Sequence, residues 1–227
     1  MIGFKQYIKE NHEEIFHDTY NHDISNAPHD VKIQQLHKQL SIHYGKPLRM
    51  DHNESLNKYF NSAGAEEINN KLWSHYKSKT NETKNNIEKD PYIKPLDAHL
   101  DGHKTPSAFT VWSGSRHDPR DWMNKEGIVH HPGYLSTSLH PGVARRFSNY
   151  SIDNYGVKNP NILKINIPKN HPGSYIGHIS YHDGEKEFLL PRGTNLRHVK
   201  TDYVKPAYHT PGYDKKMFYK VHTMEPV

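Results

Sequence analysis

At 227 residues the chain has room for one large domain or two small ones, yet only 33% of it is hydrophobic and its mean hydropathy is -0.98. No apolar run approaches the length of a bilayer and no apolar signal core follows Met1, so a soluble protein is expected. The absence of cysteine excludes disulfides, thiolate metal sites and cysteine nucleophiles, while a net charge of +5 and 20 histidines favour anionic partners without the concentrated basic stripe of a nucleic-acid binder.

Residues 4–20 place Phe4, Tyr7, Ile8, Ile15 and Phe16 at helical spacings and predict an amphipathic helix. Asn26 to Asp30 breaks it, and Asp30 is placed to cap a second helix through Val31, Ile33, Leu36 and Leu40 that stops at Gly45-Lys46-Pro47. A third helical region runs from Leu56 to Tyr76, interrupted near Ser62-Ala63-Gly64, with Ile68, Leu72 and Tyr76 as its apolar face. Lys77 to Asp90 is almost wholly polar and reads as an exposed linker.

After a short helix at Leu96 to Leu100 the texture changes to strands. Phe109 to Trp112 is rich in strand formers and closes on Ser113-Gly114-Ser115-Arg116, and Gly133 to Leu139 forms a second candidate. Pro141 suits the first turn of a helix that turns Val143, Ala144 and Phe147 inward. Asn161 to Ile167 alternates, with Leu163, Ile165 and Ile167 on one face; Arg197 to Val204 and Lys216 to Val221 complete the strands. Helices followed by strands predict an α+β fold: residues 1–90 a helical lobe, joined to the rest from about residue 50, and residues 91–227 the core. His130-His131 before Pro132 reads as a solvated loop pair, and without a His-Glu-x-x-His spacing no metal site is expected.

Chemistry concentrates in Gly184-Glu185-Lys186-Glu187-Phe188-Leu189-Leu190-Pro191-Arg192-Gly193-Thr194. As a strand, this run puts Glu185, Glu187 and Leu189 on one face, with neighbours on that face roughly 7 Å apart. Two carboxylates at that distance can address one substrate, and they suit cleavage of a glycosidic bond through an oxocarbenium-like transition state. A charged edge strand with two solvated glutamates is the ordinary alternative.

Three stretches taken together, TVWSGSR, GYLSTSL and GEKEFLLPRGT, resemble in kind and order the motifs of the mono-ADP-ribosyltransferases of the arginine, Ser-Thr-Ser, Glu-x-Glu class. That class includes bacterial binary toxins and enzymes that bacteriophages turn on their hosts. The spacers STSLHPGVARRF, ILKINIPKNHPGSYIGHIS and LNKYFNSAGAEEINNKL extend the resemblance over roughly residues 50–225. It implies a helical lobe packed on two small, roughly perpendicular sheets, with NAD as substrate in the cleft between them. It also implies transfer of ADP-ribose to arginine, because members that modify other side chains often carry Gln where Glu185 stands. The implied setting is a soluble effector in a bacterial host cell acting on a protein with an exposed arginine, with RNA left open as an acceptor and no membrane partner.

By the same resemblance Glu187 steadies the sugar cation, Glu185 holds and deprotonates the acceptor, and Ser136 orients Glu187. Gly114, Thr137, Phe147 and Tyr59 would line the NAD cleft, and Tyr181 and His182 would lie on the loop facing the acceptor. One position departs: the first motif ordinarily reads aromatic-Arg-Gly, and Ser113 stands in the arginine's place. Arg116, Arg120 and Arg145 are the candidate replacements at the pyrophosphate. Two alternatives follow, an NAD glycohydrolase with water as acceptor and a degenerate binding module of the same fold.

Overall fold

The computed structural model describes residues 31–45, 55–59, 62–155, 160–177, 185–204 and 218–227. The helix expected at residues 4–20, its breaker and the Asp30 cap lie outside them, as do Tyr181 and His182. The architecture is α+β. Its helices are α1 (Val31–Tyr44), α2 (Ser62–Ser78), α3 (Asn81–Glu88), α4 (Ile93–Gly102) and α5 (Pro141–Tyr155), with a helical turn at 55–59. Its strands are β1 (Phe109–Ser115), β2 (Ile128–His131), β3 (Leu135–Ser138), β4 (Asn161–Ile167), β5 (Ser174–Tyr175), β6 (Glu187–Leu190), β7 (Thr194–Val204) and β8 (Tyr219–Pro226).

The strands form one hydrogen-bonded sheet in the order β2-β7-β8-β4-β1-β3-β6-β5. Where the resemblance implies two sheets, pairing here is continuous, but it narrows at one place. β1 and β4 are in register from Phe109↔Ile167 to Ser115↔Asn161, whereas β1 meets β3 only at Trp112↔Ser138.

Three apolar clusters hold the layers together. Leu163, Ile165 and Ile167, on one face of β4 as their alternation predicts, join Val111, Phe188, Leu190 and the α1 residues Leu40 and Tyr44. The helical lobe closes over Leu189 and Tyr134 with Leu56, Tyr59, Ile68, Leu72, Ile93, Leu96 and Leu100. Trp112, Ile162, Tyr219 and Val221 pack with Ala144 of α5.

Several boundaries differ from the sequence expectation, each for a local reason. The supposed linker contains α3, capped by Thr80, whose hydroxyl accepts from the Thr83 amide; one buried apolar residue, Ile87, leaves too little periodicity to read. The helical region from Leu56 is divided close to where the sequence predicts, with α2 beginning at Ser62 after the turn at 55–59. Tyr76 is 42% exposed and stacks on His130 at 5.1 Å, so the apolar face of α2 ends at Leu72. His130 and His131 lie in β2, paired with Asn195 and Thr194 of β7, and are not a loop. The last strand begins at Tyr219, three residues later than the sequence suggests. Among the described residues, no helix is long and apolar enough to cross a membrane.

Candidate active site

The two-glutamate stretch is only partly a strand. β6 starts at Glu187, and its period of two turns Glu187 and Leu189 toward the helical lobe and Phe188 and Leu190 into the sheet core. Glu185 does not share that face through the ladder, which corrects the simple alternation. Lys186 adopts a left-handed backbone, φ +46°, and the chain bends before the strand begins. A lysine in that region is uncommon, and strain of this kind concentrates at functional sites.

Pairing with β3 then supplies the orienting groups. Ser138 stands opposite Glu187, and Ser136 lies two residues along on the same face, within diagonal reach. The Ser136 hydroxyl donates to Glu187 Oε1 at 2.5 Å. Thr137 points the other way and donates to the Phe188 carbonyl, so it ties the strands together. Ser138 donates to the Glu185 backbone carbonyl and accepts from the His140 amide at 2.9 Å, which anchors the bend.

Glu187 is 7% exposed. Burial pushes its carboxyl up to about 7, the Ser136 hydrogen bond pulls it down and the Glu185 charge raises it further. Removal from water outweighs one hydroxyl. Glu185 is more open, and its Oε1 accepts from Arg146 Nη2 at 3.0 Å.

Ser113, Gly114, Ser136, Thr137, Phe147, Glu185 and Glu187 all line one cavity of about 260 Å³. That is slightly under the about 300–1,000 Å³ usual for small-molecule pockets, so a dinucleotide would enter it with one end only. Gly114 sits against α5 so closely that a Cβ there would lie 2.4 Å from the Ala144 carbonyl oxygen. Phe147 corrects the expectation of an inward side chain: it is 49% exposed and walls the cavity from the rim. Tyr59 is buried behind the carboxylate, edge-on to Tyr134 at 5.7 Å, and accepts from Asn69 Nδ2. Burial, and secondarily the Glu187 charge, raise its hydroxyl well above the ordinary tyrosine range.

Asn69 escaped the sequence reading. Its side chain accepts from the Tyr134 amide at 2.9 Å and donates to the Tyr134 carbonyl at 3.3 Å, locking α2 to the start of β3. The Ile68-Asn69 pair in α2, one polar residue beside a core position, is the only signal that pointed to it. Asp97 escaped too, receiving Arg192 through three hydrogen bonds and the Tyr134 hydroxyl at 2.6 Å.

No residue lining the cavity is cationic among those described. Ser113, in the position of the motif arginine, donates to the Ser136 carbonyl at 2.9 Å and so ties β1 to β3. Arg120 is committed to Asp118, which accepts from its Nε and Nη2 at 2.9 and 2.7 Å. Arg145 is buried within α5, while Arg116 is exposed just past the end of β1. A larger cleft of about 500 Å³, lined by Tyr76, Lys79, His130 and Arg192 among others, contains none of the motif carboxylates.

A buried carboxylate held by a serine, with a second carboxylate lining the same cavity, is an arrangement of the kind that suits chemistry at a sugar carbon. The sequence model of the ADP-ribosyltransferase exoenzymes matches residues 31–219, and the chain belongs to that family of NAD-dependent transferases. Among solved structures, it resembles Plx2a, an ADP-ribosyltransferase toxin from Paenibacillus larvae, at 20% identity and a TM-score of 0.62, over 86% of this chain and 95% of that one. The ADP-ribosylating toxin BECa of a binary enterotoxin of C. perfringens, solved with NADH, matches at 13% identity and a TM-score of 0.61, over 87% of this chain and 48% of BECa. The ADP-ribosyltransferase Vis, solved with agmatine, matches at 16% identity and a TM-score of 0.57, over 92% of this chain and 88% of Vis. At these identities the likeness establishes the fold. No curated protein matches the sequence.

Proposed function

We propose that the protein transfers a single ADP-ribose from NAD to arginine of a macromolecular target, as an effector acting inside a host cell. The observation that carries this reading is the Ser136–Glu187 hydrogen bond, with Glu185 lining the same cavity. The nicotinamide–ribose bond breaks with its electron pair passing to the ring, and the sugar carbon becomes cationic. Glu187, ionised, accepts from the ribose 2′-hydroxyl and stabilises that charge, a contribution of about 3–4 kcal/mol or 10²–10³ in rate for one fixed group. Its raised proton affinity suits the task, because the cationic nicotinamide ring favours the carboxylate on arrival. Glu185 holds the acceptor guanidinium and takes its proton, which free arginine does not release near neutral pH.

Phe147 covers the nicotinamide from the rim, and Gly114 lets the dinucleotide pass close to the backbone where a side chain would collide. For the pyrophosphate we assign Arg116, which is exposed just past the end of β1, two residues beyond the cavity-lining Gly114. The agmatine complex of Vis supports a guanidine acceptor by analogy. Labelled NAD given to host lysate, and separately to agmatine, with wild type and Glu187→Ala side by side, tests the reading. Wild type alone should label; equal labelling by both proteins refutes the assignment, and nicotinamide release without any labelled acceptor leaves a glycohydrolase. The uncharged cavity wall at Ser113 favours the degenerate binding module instead, and that reading stands if NAD affinity is undetectable.

A further inference from the structure

We propose that Arg146 is itself an acceptor, modified in cis by the active site it borders. The inference rests on the reading of Glu185 as the carboxylate that holds the acceptor guanidinium. In the structure a guanidinium already occupies that place: Arg146 Nη2 donates to Glu185 Oε1 at 3.0 Å. The Arg146 guanidinium carbon also lies 5.6 Å from the Phe147 ring, and Phe147 and both glutamates line the same cavity. Helix α5 buries Arg145 and turns the next residue outward, so Arg146 reaches from α5 to Glu185 beside Phe147. Its side chain is 52% exposed against 19% for Glu185. An ion pair this open is weakly held, so a target arginine can displace it and the guanidinium can shift toward the sugar.

The chemistry balances as in transfer to a target. A terminal nitrogen of Arg146 forms a bond to the anomeric carbon, the nicotinamide–ribose bond breaks with its electron pair moving to the ring, and neutral nicotinamide leaves. Glu185 takes the proton from the attacking nitrogen and passes it to water. A tethered nucleophile gains over a free one because its encounter with the sugar needs no second molecule.

The test incubates the full chain with NAD and no other acceptor, at two enzyme concentrations, followed by peptide mapping by mass spectrometry. A parallel reaction with agmatine reports whether the transferase works at all. The expected result is ADP-ribose on Arg146 at about tenfold or more above any other arginine, reflecting tethering. Its fractional rate should not change with enzyme concentration, and Arg146→Lys should lose the label from that peptide. Modified agmatine with unmodified Arg146 overturns the inference and leaves the proposed function intact. A rate at Arg146 that rises with enzyme concentration overturns modification in cis. No nicotinamide release and no labelled agmatine removes the proposed function, and the inference with it.

Discussion

Replacing Glu187 by Gln should sharply lower activity and stabilise the fold above neutral pH. The carboxyl is pushed from an ordinary 4.5 up to about 7 in the folded protein, so between those values the native state holds a proton that the unfolded chain has released. Stability contributed by this residue therefore falls as pH rises through that window and stays low above it. At about 1.4 kcal/mol for each pH unit, the span from 4.5 to about 7 sets a ceiling of about 3 kcal/mol. Glutamine keeps the shape without the ionisation, so the variant should gain about 2–3 kcal/mol at alkaline pH and almost nothing at about pH 4. Urea melts at both pH values, compared by midpoint at equal slope, measure the difference. Nicotinamide release should meanwhile drop by about 10²–10³. A variant no more stable than wild type at alkaline pH would show that burial does not load this carboxylate.

The same raised proton affinity predicts that kcat/KM for NAD rises with pH toward a plateau above about 7, where Glu187 is ionised. Ser136→Ala removes a bond to the ionised form, so it should move that limb to higher pH and lower activity by about 10–100-fold, read from a pH–rate profile. Gly114→Ala brings a methyl within 2.4 Å of the Ala144 carbonyl and 2.7 Å of the Ser148 nitrogen. It should cost about 1–3 kcal/mol by thermal or urea melting, with loss of NAD binding as α5 is pushed away. Arg116→Ala should weaken NAD binding by about tenfold or more in calorimetry, the loss expected for a charge-assisted phosphate contact. Arg120→Ala should leave NAD affinity unchanged and lower stability, because it strips Asp118 of a partner.

Much of the site was readable because its residues fall in short, ordered strings. Ser136 and Glu187 meet through plain antiparallel register, which alternation alone anticipates once β3 and β6 are taken as neighbours. Glu185 was harder: its place depends on the left-handed turn at Lys186, and nothing in a lysine announces positive φ. The length of α3 was hidden because a polar helix is held by its Thr80 cap and by Lys71 bonded to Asp90 at 2.7 Å, not by a stripe. Arg146 and Asn69 act through partners 39 and 65 residues away, distances that local pattern does not span. The face of β4 carrying Leu163, Ile165 and Ile167, by contrast, followed from alternation, and α5 followed in part, with Val143 and Ala144 buried and Phe147 at the rim.

The single rung between β1 and β3 has a mechanical consequence. Trp112↔Ser138 is the seam between two stiffer panels, and the Ser113–Ser136 bond is a second stitch across it. Ser136, on one side of that seam, both receives the stitch and grips Glu187. Fluctuations that part the panels will loosen the grip on the carboxylate at the same moment. Amide hydrogens that bridge β1 and β3 at this rung should accordingly exchange sooner than those bonded between β1 and β4, and slow down when a ligand bridges the gap.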